Sequence, residues 1–447
     1  MTSDLLAPLD LAFWNIESGR HPMHLGALGV FTADSPAAGA HAADLLTARA
    51  AGVPGLRMRI RDVWDPLGHP LTFPAAFGGA TREPDPGFDA SDHIRLHAPA
   101  ADFHTAAGEL MGRPLERGRP PWEAHVLPGG DGVSFAVLFK FHHALADGLR
   151  ALALAAAIMD PMDLPAPRAR PPEPVRGPLP DVRGLPGLLR GALSDLGRAL
   201  DIGASVARSS LSARSSSALA CEPSGSRRTA GVVVDLDDVH RIRKAAGGTV
   251  NDVLIAVVAG ALRRWLDARG DGSDGVAPRT LIPVSTRRPR TAQPPGNRLS
   301  GYLMELPVDD PDPLARLGAV RAAMDRNKDA GPHRGAGAVA LLADHVPALG
   351  HRLGGPLAGL AARLWFDLLV TSVPLPSLGL RLGGHPVTAV FPFAPLAPGH
   401  SLAVAVSTYR GQVHYGLVAD AVAVPDLALL ARALTEEVET LTAACGP

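Results

Sequence analysis

Residues 133–141 read Val-Ser-Phe-Ala-Val-Leu-Phe-Lys-Phe, with an apolar side chain at every odd position. That period of two predicts a strand. Comparable short runs predict strands at 23–31, 94–99 and 122–127, and helical spacing predicts helices at 40–51 and 102–112. The turn Pro128-Gly129-Gly130-Asp131-Gly132 joins the last two strands of this half. From Asp147 the pattern becomes an Ala/Leu-rich helix ending near Met159. The later chain repeats the mixture, with strands at 230–236, 279–285, 300–306, 368–373, 401–408 and 412–418. Helices are predicted at 238–246, 250–269, 313–327 and 425–441, and Gly383-Gly384 reads as a turn.

Between the halves, residues 161–180 hold eight prolines, which neither a helix nor a central strand tolerates. Beyond them Leu185, Leu188, Leu189, Leu193, Leu196 and Leu200 recur at helical spacing, with Arg190 and Arg198 between. That amphipathic helix either crosses between domains or lies on a membrane surface. The Ser-rich stretch 209–226 is expected to be mobile. The expected division is a first α/β domain over 1–160, a linker and crossover helix over 161–228, and a second α/β domain over 229–447. A chain of 447 residues, 46% apolar and 19% charged, is long enough for that.

Charge and composition narrow the function. A net charge of −1 and 4% aromatics provide neither the basic field nor the stacking platform that nucleic acid requires. Cys221 and Cys445 make no disulfide framework and suit a reducing cytoplasm. No signal peptide and no bilayer-length apolar stretch is read. The 17 histidines show no His-x-x-x-His spacing with a nearby carboxylate, so no metal is expected.

The chemistry gathers at His142-His143-Ala144-Leu145-Ala146-Asp147-Gly148. Continuing the alternation, His143 follows Phe141 on the buried face and His142 points the other way, alongside Lys140. Desolvation keeps a buried imidazole neutral near pH 7, the state a proton acceptor needs. Asp147 begins a helix, where a carboxylate caps amides, binds an arginine or orients the loop. Gly148 permits a tight turn or close approach to a ligand. At this chain's own residue frequencies such a run arises by chance about 0.007 times. Trp122 reads as a core anchor or a substrate contact. Asn251 and Asp252 sit at a helix start, where they cap or shape a site. Arg287, Arg288 and Arg290 form an exposed basic loop or meet phosphates.

The His142–Gly148 run resembles the active-site motif of the chloramphenicol acetyltransferase-like acyltransferases, a superfamily that includes the condensation domains of nonribosomal peptide synthetases. Pro8-Leu9-Asp10-Leu11-Ala12-Phe13-Trp14, Glu17-Ser18 and Pro22-Met23-His24-Leu25-Gly26 are similar to the start of the bacterial wax ester synthase/diacylglycerol acyltransferase family. Phe88-Asp89, His93-Ile94, Arg119-Pro120-Pro121-Trp122-Glu123, Val250-Asn251-Asp252-Val253, Pro283-Val284-Ser285-Thr286-Arg287 and Gly296-Asn297 follow in that family's order. The resemblance implies two chloramphenicol acetyltransferase-like domains in pseudo-twofold arrangement with a channel between them. His143 is then the general base for transfer from acyl-CoA to a hydrophobic alcohol, with no cofactor and no covalent acyl-enzyme. Asn251 is nominated for the oxyanion. The family's Ser-Asn-Val-Pro-Gly-Pro is here Thr371-Ser372-Val373-Pro374-Leu375-Pro376, and an expected asparagine is Asp367. Ser372, Trp122, Asn251 and Asp252 are the expected substrate-binding residues. The expected location is the cytoplasm, with peripheral attachment to the inner membrane face or to lipid droplets. Two other readings stay open: a condensation-type enzyme using carrier-protein thioesters, and a lipid-binding homologue without activity.

Overall fold

Proline at the first position of a helix loses no hydrogen bond, and Pro8 opens helix α1 (Pro8–Ile16) in this way, just after strand β1 (Asp4–Leu5). The computed structural model describes residues 4–63, 79–161, 215–285, 299–330, 365–375 and 379–446. The first half continues through β2 (His24–Thr32), α2 (Ala38–Ala50), β3 (Met58–Asp62), β4 (Ala80–Pro84) and β5 (Ile94–Leu96). It ends with α3 (Phe103–Gly112), β6 (Trp122–Pro128), β7 (Ser134–His142) and α4 (Gly148–Ala156). The second half begins with β8 (Arg227–Asp235), α5 (Leu236–Ala246), α6 (Val250–Arg269), β9 (Arg279–Ser285), β10 (Leu299–Glu305) and α7 (Pro313–Ala330). It closes with β11 (Leu368–Pro374), β12 (Arg381–Leu382), β13 (His385–Phe393), β14 (Leu402–Tyr409), β15 (Gln412–Asp420) and α8 (Leu427–Ala444).

Two six-stranded sheets organise these elements, in the orders β12-β13-β2-β7-β6-β5 and β10-β9-β11-β14-β15-β8; a small sheet, β1-β4-β3, stands apart. The mixed α/β, two-sheet architecture is the one expected. The expected boundaries are not kept by the chain, because β12 and β13 leave the second half to pair with β2 of the first. Pro386 and Pro392 hide β13 from a sequence reading. They sit near the strand's two ends, where a missing N–H does least damage. Gly383 and Gly384 form the turn before it, both with positive φ.

Both faces of β7 are buried. Phe135, Val137, Phe139 and Phe141 enter a core with Trp122 and α2, while Ala136 and Leu138 enter one shared with Phe391, Phe393, Ala403, Ala405 and Val418. The second of these cores is the layer between the two large sheets. Backbone meets backbone there: a Cβ on Gly108 would lie 2.9 Å from the Arg227 carbonyl, and one on Gly416 would collide with the Pro392 carbonyl. Outside the second sheet α6, α8 and α5 pack on Val404, Val406, Val413, Tyr415 and Leu417. Residues 209–214 of the Ser-rich stretch lie outside the described residues; in its described part Ser224 donates to Asp420 (2.8 Å) before β8 begins. The Pro-rich linker, the amphipathic 185–200 pattern, Arg287, Arg288, Arg290 and Gly296-Asn297 lie outside the described residues. Among the described residues no single helix is long and apolar enough to cross a membrane.

Candidate active site

The strand ladder of β7 runs directly into the motif. The His142 amide donates to the Pro121 carbonyl and the His143 amide to the Met23 carbonyl, each at 2.9 Å. The chain then turns, with the amides of Leu145 (2.9 Å) and Ala146 (3.3 Å) both reaching the His142 carbonyl. The Asp147 carboxylate accepts from the Arg150 amide (2.9 Å) and caps α4, whose first residue is Gly148. Capping, one of the roles open to Asp147, is therefore present.

The two histidines differ from expectation in depth. His142, not His143, is the more enclosed ring, with 1% of its surface exposed, whereas His143 is half-buried. Both faces of β7 are covered, so facing inward does not separate the pair. His142 is held on one side by a hydrogen bond. Its Nδ1 accepts from the Ala144 amide (3.0 Å), which puts the ring proton on Nε2, 3.4 Å from Glu17 Oε1. Burial pushes the Glu17 carboxyl up, but the facing His142 ring, the Met23 amide and Arg117 together hold it below its ordinary value. Trp14 packs edge-on against His142 at 5.0 Å.

His143 lies flat on Phe13, with ring centroids 4.1 Å apart and an 18° interplanar angle. Burial pushes this imidazole below its ordinary value. Its own backbone and the carboxylates of Asp10 and Asp147 work against that shift, and His142 adds to it. The ring is therefore neutral at pH 7 and free of bulk water on its Phe13 side, as a proton acceptor must be. Below the loop, Arg82 donates through Nη2 to Asp10 Oδ2 (2.6 Å) and to the Ala144 carbonyl (2.5 Å). Both side chains are almost wholly buried. This ion pair ties α1, β4 and the motif loop into one unit.

The second half reaches the site through β11. A Cβ on Gly148 would stand 3.4 Å from Val373 Cγ2, an ordinary contact, and Gly148 does not need a positive φ. It is thus neither a tight-turn glycine nor sterically obligatory; it marks where the two halves touch. Ser372, next to Val373, alternates to the other side, the face carrying Leu368 and Val370 against the helices. It is exposed there and does not share the Gly148 face. Tyr415, opposite Val406 and through it Ser372, donates to the Leu254 carbonyl (3.3 Å). The first turn of α6, with half-buried Asn251, is therefore at the same end of that sheet as Ser372.

Two expected substrate-binding residues have structural duties. Asp252 is fully buried and completes a capping box: its Oδ2 accepts from the Thr249 amide (2.8 Å), and Thr249 Oγ1 accepts from the Asp252 amide (3.2 Å). Trp122 has no exposed surface, donates to the Leu56 carbonyl (2.7 Å) and stacks on His93 at 4.8 Å. It is the core anchor. Asp367 pairs with Arg279 (3.1 Å) and accepts from its amide (2.8 Å), fastening the start of β11 to β9. Val373 lies about 20 Å further along that strand, so this departure acts on the sheet and not on the motif. Phe13, Glu17 and Arg82 are the site residues the sequence did not single out. Phe13 and Glu17 fall in the resembling N-terminal segments, but nothing local marks Arg82.

Comparison with known proteins gives a consistent result. The model of the wax ester synthase/diacylglycerol acyltransferase catalytic domain matches residues 6–254, and that of the C-terminal domain of the same family matches 295–442. A probable diacylglycerol O-acyltransferase of Mycobacterium tuberculosis is 30% identical over 476 residues, covering 99% of this chain and all of that one. A second from the same organism is 29% identical over 98% of this chain and 96% of its own. Among solved structures, the wax ester synthase/diacylglycerol acyltransferase from Marinobacter aquaeolei VT8 superposes with a TM-score of 0.70 at 23% identity, over 99% of this chain and 100% of that one. The trichothecene 15-O-acetyltransferase of Fusarium sporotrichioides gives 0.58 at 12% identity, over 98% and 94%. At these identities the two structures speak for the fold.

Proposed function

Since the chain belongs to the wax ester synthase/diacylglycerol acyltransferase family, we propose that it is an acyltransferase esterifying lipid alcohols, with His143 taking the hydroxyl proton. The acyl donor in this reading is acyl-CoA, and the acceptor is a diacylglycerol, a fatty alcohol or both. The alcohol oxygen attacks the thioester carbonyl as its proton passes to the neutral imidazole. The tetrahedral oxyanion collapses and the carbon–sulfur bond breaks. CoA thiolate leaves and the imidazolium returns the proton to it. Asn251 is the proposed donor to the oxyanion, a type of contact whose removal slows such reactions about 100-fold or more. Attachment to the inner membrane face or to lipid droplets would bring the enzyme to its acceptors.

The observation that carries this reading is the His143 ring itself, neutral and stacked on Phe13, in the loop that leads from β7 to α4. The two family models favour lipid acyl transfer over the carrier-protein-dependent condensation reading and over a lipid-binding homologue without activity. The test is CoA release from palmitoyl-CoA with hexadecanol, and separately with dioleoylglycerol. Wild type should release CoA with at least one of them, and His143→Ala should be slower by about 100-fold or more. Equal release by both proteins removes His143 from the role of base.

A further inference from the structure

Helix α1 presents two consecutive aromatic rings to the two consecutive histidines of the motif, and it meets them differently. Trp14 packs against His142 at 5.0 Å with the ring planes 66° apart, whereas Phe13 lies flat on His143 at 4.1 Å and 18°. The helix that carries both rings is fixed at several points. Asp10, one turn before Phe13, is paired with Arg82, and Trp14 Nε1 donates to Asp62 (2.8 Å) at the end of β3. Leu11 and Trp14 enter a small core with Leu6, Ile60, Ala80 and Ala144, and Phe13 packs against it. Phe13 and His143 are both half-buried, so the fold holds the stack and still leaves the imidazole partly accessible.

The face of a phenyl ring carries the negative part of its quadrupole. A cation over that face within about 6 Å is attracted to it, and more strongly where water is excluded. A neutral imidazole gains little from such a contact, whereas an imidazolium, whose charge is spread over the ring, gains at the separation seen here. The other histidine of the motif does not take up charge in this way. Its Nδ1 accepts from the Ala144 amide (3.0 Å), and a second proton there would confront that N–H. Burial keeps His143 neutral at rest, against the carboxylates of Asp10 on α1 and Asp147 on α4 and with the help of His142 on β7. Arg82 in turn offsets the charge of Asp10. His143 therefore becomes charged only as it takes a proton, and a contact that strengthens at that moment speeds the chemical step.

We propose that Phe13 is a positioning residue that acts through His143: its ring face stabilises the imidazolium formed as the acceptor alcohol loses its proton. This deepens the function proposed above and rests on His143 being the base. The hydroxyl proton stays on His143 until CoA thiolate takes it, so the stack acts from the first proton transfer to the second. An aliphatic side chain in place of Phe13 would also keep water from that side of the imidazole, but it has no such face to offer the charge.

The test weakens the ring face while keeping the ring. In the full-length protein Phe13 is replaced by monofluoro-, difluoro-, trifluoro- and pentafluorophenylalanine, each added fluorine drawing electron density from the face, and Phe13→Leu removes the face outright. Two quantities are read. One is kcat for CoA release from palmitoyl-CoA with the better acceptor of dioleoylglycerol and hexadecanol. The other is the titration of His143 in NMR spectra of protein with isotope-labelled histidine, its signal identified by its loss in His143→Gln. Along the fluorinated series kcat should fall stepwise by about threefold to tenfold with KM within about twofold, and His143 should titrate at progressively lower pH. A level response in either quantity along that series, even with a slow Phe13→Leu, overturns the proposal and leaves Phe13 a packing residue. The titration needs no turnover. His143→Ala as fast as wild type, or no CoA release by wild type with either alcohol, would instead overturn the function proposed above.

Discussion

Arg82 and Asp10 are 72 positions apart in the chain and 2.6 Å apart in space, sealed beneath the motif loop. Desolvating two charges offsets much of their attraction, so the pair is a specificity device more than a source of stability. Removing one partner strands the other. Arg82→Met should therefore lower unfolding stability by about 3–5 kcal/mol, measured by urea denaturation. Replacing both, as Arg82→Met with Asp10→Leu, should recover most of that loss. Activity should stay low in single and double variants alike, because the Ala144 carbonyl has lost its donor and the loop carrying His143 its anchor. A double variant no more stable than the single one would contradict this account. Such a pair is invisible to sequence patterning, which sees neighbours and periods. His142–Gly148 was legible because its chemistry is contiguous; Arg82 and the Phe13 stacking surface under His143 were not, because folding alone brings them there.

At the scale of elements, capping made some boundaries readable and proline concealed others. Helix α6 runs from Val250 to Arg269 as its pattern predicts, bracketed by the Thr249–Asp252 capping box and by Gly270 with φ 80°. The same residue that marks the helix start, Asp252, is committed through Oδ2 to the cap. In β13 Pro386 and Pro392 suppressed the strand signal, and with it the fact that the first sheet borrows strands from the second half. Helix α4 joins capping to chemistry, because the Asp147 carboxylate holds the Arg150 amide and also raises the pKa of His143. Asp147→Asn should preserve the cap, leaving stability within a few tenths of a kcal/mol, while Asp147→Ala should lose about 1 kcal/mol. Both remove a charge that favours the imidazolium. His143 should then titrate lower, and the acid limb of the kcat/KM profile should move to more acidic pH. A limb that moves toward neutrality would show that Asp147 does not act on His143 through its charge.

Across the whole molecule the two halves are joined by β13 and by close backbone contacts at Gly108 and Gly416, and buried histidines line the same junction. His21, His24 and His414 are each 9% exposed or less. Burial pushes His21 and His414 down to about 4, and His24 well below its ordinary value. An unfolded chain protonates these groups near pH 6.5 and the folded one does not. Below that pH the unfolded state binds more protons, so stability must fall as pH falls. Each such group contributes about 1.4 kcal/mol per pH unit between roughly 6.5 and its folded value. Glu17, Glu123 and Asp420 are held below their ordinary values as well, but they destabilise only as pH falls through the carboxylate range, beneath the upper part of this window. Between pH 6.5 and 5 the slope therefore belongs to histidine. Urea denaturation across that interval should show stability declining steeply in wild type, and His414→Leu should reduce the slope by about 1.4 kcal/mol per pH unit. At pH 7 the same substitution should raise the stability of the ligand-free protein, since it exchanges two unpaired ring nitrogens for an apolar side chain of similar reach. A variant less stable than wild type at pH 7, with its acid slope unchanged, would mean that His414 is held by contacts worth more than its solvation. It would then be part of the scaffold.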